Sequence, residues 1–243
     1  MDAWGLTDPG LVRKQNQDYY ALKSLHKNGL LAVVCDGMGG AKAGNVASKL
    51  ATEVFTGEVE RSFQKGMSPE MMQTVLCQAV ALANTALFEQ AQLSEDFRGM
   101  GTTLVALLID GSNAVAVNVG DSRIYHMNDD GITLISTDHS LVELMVRRGE
   151  LTHEQAKMHP NKNIITRAIG TEPAVQCDTY PLQLHPRDNF LLCSDGLSNL
   201  LDDQEILFEV LHGARKKDCC GRLLDIAKQR GASDNVTAVL VSL

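Results

Sequence analysis

Residues 30–40 read LLAVVCDGMGG, and residues 190–197 read FLLCSDGL. In each, an apolar run ends on an aspartate that glycine follows. Runs this apolar read as buried strands in the middle of a sheet. Each delivers a carboxylate to the strand's end, where bare glycine backbone allows close approach.

The rest of the chain says what surrounds those strands. Residues 2–8, 18–25 and 29–36 are predicted strands. Over residues 46–63 the apolar Val46, Leu50, Val54 and Phe55 fall at helical spacing. Ser68 followed by Pro69 predicts the start of a second helix with its body at 71–88. The period then changes. TTLVALLID, NAVAVNVG, SRIYHM and GITLIS are short, β-branched and separated by Gly, Asn or Asp, the pattern of an antiparallel meander. Strands are predicted again at 177–184 and 189–194, helices near 203–212 and 216–230, and NVTAVLVSL as a closing strand. Strands and helices come in blocks, which predicts an α+β fold with antiparallel sheets and helices packed outside them. The polar, partly helical stretch between the meander and residue 170 reads as an insertion or flap.

The 243 residues are 44% hydrophobic, enough for a substantial core, and carry a formal net charge of −8. That charge argues against nucleic acid and anionic membrane as partners. No apolar run approaches the ~18 residues of a membrane span, and MDAWGLTDPG has no basic-then-apolar leader. The six cysteines form no CxxC pair. Reduced thiols in a cytoplasmic protein are expected.

Four aspartates stand at strand edges beside a Gly or other small residue: Asp36, Asp121, Asp195 and Asp234. Each alone reads equally as a turn residue. Gathered at neighbouring strand ends they repel and lose hydration, at several kcal/mol per unpaired ion. Cations would offset that. Oxygen-only donors select hard ions such as Mg²⁺ or Mn²⁺. Two such ions roughly 3.5–4 Å apart would share and activate a water. Arg13, in TDPGLVRKQNQD, is either a solvated surface residue or a bidentate phosphate clamp beside the site.

These segments, together with RGMGTTLVALL, VGDSRIY, TDHSLV, RGELTHEQAKMHPNKNIITRAIG and ASDNVTAVLV, occur in the order and spacing of the bacterial metal-dependent Ser/Thr protein phosphatases of the 2C family, which the chain resembles over nearly its whole length. The resemblance implies a four-layer α-β-β-α sandwich of two antiparallel sheets flanked by helices. It implies one catalytic domain over 1–243 with a flap at about 145–170. It implies hydrolysis of phosphoserine and phosphothreonine in proteins by a water activated between two Mn²⁺ or Mg²⁺ ions, with no covalent enzyme intermediate. By matching position, Asp36, Asp195 and Asp234 resemble the direct ligands, Gly37 the backbone carbonyl ligand, and Asp18 the acid that holds metal-bound water. Asp121 resembles the ligand, with Asp195, of a third ion, and Arg13 the phosphate-binding arginine. The implied partners are phosphorylated proteins, substrates of bacterial Ser/Thr kinases or the kinase itself, met by a monomer. Two other readings remain: a non-catalytic phosphopeptide-binding relative, and a phosphatase of an anti-sigma antagonist or small phosphometabolite.

Several positions depart from the family pattern. Gln17 replaces a frequent Glu, which implies looser metal-bound water. Met38 and Ala41 stand where other members carry a histidine, leaving a water or His159 to protonate the leaving group. Asn199 stands where many members have an Asp, which implies weak affinity for a third ion. Cys35 and Cys193, beside the aspartates, read as apolar filler or as redox control. Asp138 and His139 read as a hydrogen-bonded pair at the start of the helix after Ser140, or as catalytic groups. Met71 and Met72 read as core.

Overall fold

Leu30 to Cys35 are all buried, and their side chains split between two cores. Leu31, Val33 and Cys35 pack with Ala47, Phe55, Met72 and Leu87, whereas Leu30, Ala32 and Val34 pack with Val105, Phe190, Leu192 and Val239. The run is apolar throughout because layers cover both of its faces.

The computed structural model describes the backbone of all 243 residues and every side chain but those of Ala41 and Lys42. In chain order it contains β1 (Asp2–Asp8), β2 (Asp18–His26), β3 (Gly29–Met38), α1 (Gly40–Ser62), α2 (Pro69–Gln92), β4 (Gly101–Thr102), β5 (Leu104–Asp110), β6 (Asn113–Val119), β7 (Arg123–Asn128) and β8 (Gly131–Leu134). There follow α3 (Leu141–Arg147), α4 (His153–Lys157), β9 (Asp178–Gln183), β10 (Asn189–Cys193), α5 (Asp195–Ser198), α6 (Asp203–His212), α7 (Cys219–Gln229) and β11 (Val236–Ser242). One sheet runs β1-β11-β10-β7-β8. The other runs β2-β3-β5-β6-β9, with β4 paired to β3. Every pairing is antiparallel.

Three cores make four layers. The first lies between α1, α2 and the β3 sheet, the second between the two sheets. The third lies between the β10 sheet and α5 to α7, where Leu191, Cys193 and Leu240 meet Leu197, Ile206 and Leu223. The α-β-β-α sandwich with its two helical flap segments, α3 and α4, is therefore present as expected.

Four local expectations need correction. First, α1 begins at Gly40, well before residue 46. Its cap is Gly39 at φ 112°, with no side-chain hydrogen bond, so a glycine turn and not a polar cap starts it. Second, the meander is divided. β5 and β6 belong to one sheet and β7 and β8 to the other, so residues 120–122 cross between layers and carry Asp121 with them. Third, Met72 is core, but Met71, one position earlier on α2, is turned to solvent and 49% exposed. Fourth, α2 contains an 18-residue window of mean hydropathy 1.3, apolar and long enough to pass for a membrane span. Met72, Leu76, Ala79, Ala83 and Leu87 account for it by burying its inner stripe in the first core. The start of the second helix holds as read, with Ser68 Oγ accepting from Met71 N and Pro69 in the first turn.

Candidate metal centre

β2 and β3 pair so that Asp18 lies directly opposite Asp36. The second sheet brings two more acids to the same end. Asp195 is the first residue of α5, immediately after β10, and Asp234 lies two residues before β11. Backbone bonds fix the Asp36 peptide on both sides. Its N–H donates to Thr103 Oγ1 at 2.9 Å, and its carbonyl accepts from Thr102 Oγ1 and from Thr103 N, each at 2.8 Å. Thr102 and Thr103, at the junction of β4 and β5, therefore hold the aspartate's backbone. Gly37 is equally constrained. A Cβ there would stand 2.0 Å from the carbonyl oxygen of Gly44 and 2.7 Å from that of Gln17.

Asp18 is buried, and its Oδ2 accepts from Thr237 Oγ1 at 2.6 Å and Ser194 Oγ at 2.7 Å. Its Oδ1 is buried without a partner, as is Asp121 Oδ1. Burial pushes Asp18 up to about 7 against those two hydrogen bonds, and the charges of Asp195 and Asp234 add to the rise. Burial and then the charges of Asp195 and Asp138 push Asp121 up to about 8. Asp36 is held well above the ordinary carboxylate range by burial, then by Asp18, Asp195, Asp121 and Asp234. Asp195 is raised by burial and by Asp234 and lowered by a hydrogen bond with Asp36. Asp36 and Asp195 are half-buried at the mouth of the site, so water screens part of this repulsion.

Among the described residues, no three His, Cys, Asp or Glu side chains form a ready-made cage. The fit to divalent cations rests on other features: oxygen-only donors, two orphaned buried carboxylate oxygens, mutual repulsion that positive charge would relieve, and a Gly37 backbone with no room for a side chain.

The remaining site residues are placed as follows. Arg13 Nη2 donates to Asp234 Oδ2 at 2.8 Å, with both side chains largely exposed. Gln17 Nε2 donates to the carbonyl of Gly40 at 2.9 Å, at the first residue of α1. Asn199 Nδ2 donates to Asp195 Oδ2 at 3.0 Å. His159 Nδ1 accepts from Asn161 N at 3.2 Å. The histidine lining the 440 Å³ cavity between the flap and Asp121, Asp195 and Asn199 is His153. Met38 offers no proton, and the side chains of Ala41 and Lys42 lie outside the described residues.

Asp138 and His139 do not hold each other. Arg123 donates to both carboxylate oxygens of Asp138, the shortest contact being 2.7 Å. His139 Nδ1 accepts from Gly120 N at 3.0 Å, while its Nε2 faces Asp178 and Arg167. These contacts brace Gly120 and Arg123, on either side of Asp121 and Ser122. No local pattern signals them, since the partners lie 15 to 39 positions away.

Residues 12–240 match the family profile described as Protein phosphatase 2C. The chain is 36% identical over 236 residues to serine/threonine phosphatase stp of Listeria monocytogenes serovar 1/2a, covering 97% of this chain and 93% of that protein. It is 35% identical over 239 residues to protein phosphatase PhpP of Streptococcus pneumoniae serotype 2, covering 98% and 96%. The crystal structure of serine/threonine phosphatase Stp1 from Staphylococcus aureus matches it with a TM-score of 0.93 at 36% identity, over 100% of this chain and 94% of that one.

Proposed function

The chain belongs to the protein phosphatase 2C family and is a protein-serine/threonine phosphatase, and from that premise we propose that Asp36, Asp195 and Asp234, with the carbonyl of Gly37, hold two divalent cations, Mn²⁺ or Mg²⁺, where the ends of the two sheets meet. The supporting observation is the group of acids raised by burial and then by one another's charge around the orphaned Oδ1 of Asp18. When bound, such ions supply a water-derived nucleophile at neutral pH and offset charge on the phosphoryl group.

The chain's own residues do the positioning. Thr102 and Thr103 fix the backbone of Asp36 and so set the point from which its carboxylate reaches the site. Ser194 and Thr237 hold one oxygen of Asp18, which leaves Oδ1 free to accept from a water at the site. Arg13 is poised on Asp234 through an exposed pair worth about 0–1 kcal/mol. It can therefore transfer its guanidinium to two phosphoryl oxygens at little cost. No cysteine is suited to attack phosphorus from beside the acids. Cys35 and Cys193 are fully buried, and burial pushes both thiols up to about 12. The apolar-filler reading of both fits that burial.

Residues 1–243 act as one catalytic domain with the flap at about 145–170. The cavity between the flap and Asp195 receives the peptide around the phosphoresidue. Its substrates are proteins phosphorylated by bacterial Ser/Thr kinases, the kinase itself included, in the cytoplasm, and the enzyme works in signalling as a monomer. The net charge of −8 argues against nucleic acid or anionic membrane as partners, and leaves an anionic substrate to be met by local cations and Arg13. A non-catalytic relative would have no need of the raised acid cluster.

The test is phosphate release from a phosphothreonine peptide, with Mn²⁺ and after chelation. Release is expected only with the cation, and release that persists in chelator would overturn the reading. Arg13→Ala is expected to raise KM by about ten- to a hundredfold, the loss of a charged hydrogen-bonding partner, with a smaller fall in kcat. A steady-state comparison checks it.

A third cation at Asp121 and Asp195 is weak, because the Asn199 amide already donates to Asp195 Oδ2. Asn199→Asp removes that donor and adds a carboxylate. The expected result is a tenfold or greater gain in affinity for a third Mn²⁺, read by calorimetric titration. Unchanged stoichiometry and affinity would count against the assignment.

A further inference from the structure

Cys77, on α2, and Cys177, one residue before β9, stand 3.1 Å apart sulfur to sulfur across 100 residues of chain, with the Cys177 thiol donating. Both are free and half-buried. Cys77 also lines an open groove with Gln73, Gln78 and Thr179, so a small reagent can reach it. Gln73 Nε2 donates to Thr179 Oγ1 at 3.0 Å and ties the same two elements together.

The other four thiols have no such arrangement. Cys35 and Cys193 are buried in separate cores. Cys219 and Cys220 are neighbours in sequence, but Cys219 Sγ faces the carbonyl of Glu209 and Cys220 Sγ that of Trp4.

We propose that Cys77 and Cys177 form an oxidisable dithiol, a modification site at which a small-molecule disulfide converts the pair to a bond stapling α2 to the entry of β9. A disulfide is about 2.05 Å long, so the sulfurs need approach by only about 1 Å. Cys77, at the groove, loses its proton and attacks one sulfur of the reagent, forming a mixed disulfide and expelling one thiolate. Cys177 then loses its proton, attacks the Cys77 sulfur and expels the second. Two protein thiols are oxidised, and the reagent takes up two electrons and the two protons as two thiols. The second step is the slow one, because burial and the neighbouring Cys77 push the Cys177 thiol up to about 12; closure therefore quickens with rising pH.

The staple lies at the base of the flap. Asp178, next to Cys177, accepts from Arg167 Nη1 at 2.8 Å and lies 3.2 Å from His139 Nε2. Neither cysteine touches the acid cluster.

The test incubates the full chain with oxidised glutathione, blocks free thiols, and digests without reductant. The expected result is a linked peptide pair containing Cys77 and Cys177, and a melting temperature about 5–10 °C above that of the reduced protein. Dithiothreitol should abolish both. Cys77→Ser and Cys177→Ala, each folded in reductant, are expected to show neither the link nor the rise. Recovery of both thiols blocked, a persistent glutathione adduct without the link, or a link that leaves melting unchanged would overturn the proposal. Neither readout involves phosphate release, so the outcome is independent of the catalytic reading.

Discussion

Asp36→Asn will lower kcat on a phosphothreonine peptide by about a thousandfold at saturating Mn²⁺, roughly 4 kcal/mol of transition-state stabilisation. The amide is nearly isosteric and leaves the anchoring bonds untouched, since Thr102 and Thr103 grip the backbone of residue 36 and not its carboxylate. What disappears is one negative charge from a site where Asp18, Asp195, Asp121 and Asp234 all repel it. The same variant should therefore melt higher than the parent in chelator. A pair of measurements, phosphate release with Mn²⁺ and melting without it, should move in opposite directions. A variant as active as the parent would remove Asp36 from the centre. One that melts lower in chelator would show that the acids do not strain the ion-free fold.

Freed of divalent ions, the protein will melt at a lower temperature at about pH 8 than at about pH 5.5, the reverse of ordinary acid denaturation. Asp18 and Asp121, both buried, titrate near 7 and near 8, against 3.8 in an unfolded chain. Between those values the folded state binds more protons than the unfolded one. This contribution to stability is complete below about pH 4 and is lost as pH climbs through 7 and 8. It amounts to a few kcal/mol. Added Mn²⁺ should raise the melting temperature, and by more at pH 8, where protons compete less for the carboxylates. Melting scans at the two pH values, with chelator and with Mn²⁺, provide the check. A flat or rising profile in chelator would refute it.

The parts of this architecture that could be read in the sequence are those whose cause is local. β3 and β10 are apolar because both faces are covered, and each carries the chain to an acid at the same edge, Asp36 near the end of β3 and Asp195 two residues past β10. Ser68 with Pro69 announces α2 because capping depends on neighbouring residues. α5 was not legible. A single turn of four residues after a strand has no period to detect, and Asp195 reads as a turn residue until β11 is placed beside it. The start of α1 was hidden by glycines that resemble a loop. The acids themselves could be picked out one by one, and the resemblance assembled them. The hydroxyls that hold them, Ser194 and Thr237 on Asp18, come from the opposite sheet across 176 and 219 residues, a distance no spacing rule spans. His159 reads as a flap acid by residue type; its Nδ1 accepts from Asn161 N, which leaves Nε2 to carry the proton, while the histidine on the cavity wall is His153.

Asp18 and Asp36 descend from one sheet, Asp195 and Asp234 from the segments that join the other. Any ion they share is thus a clasp at one edge of two halves that meet elsewhere through an apolar core and a few hydrogen bonds, Ser194 and Thr237 to Asp18 among them. Amide hydrogen exchange should register this as a gradient. With the ion removed, protection will fall at Asp36 and Ser194 while the far ends of the same strands, at Leu30 and Phe190, keep theirs, so the sandwich breathes from its catalytic edge inward.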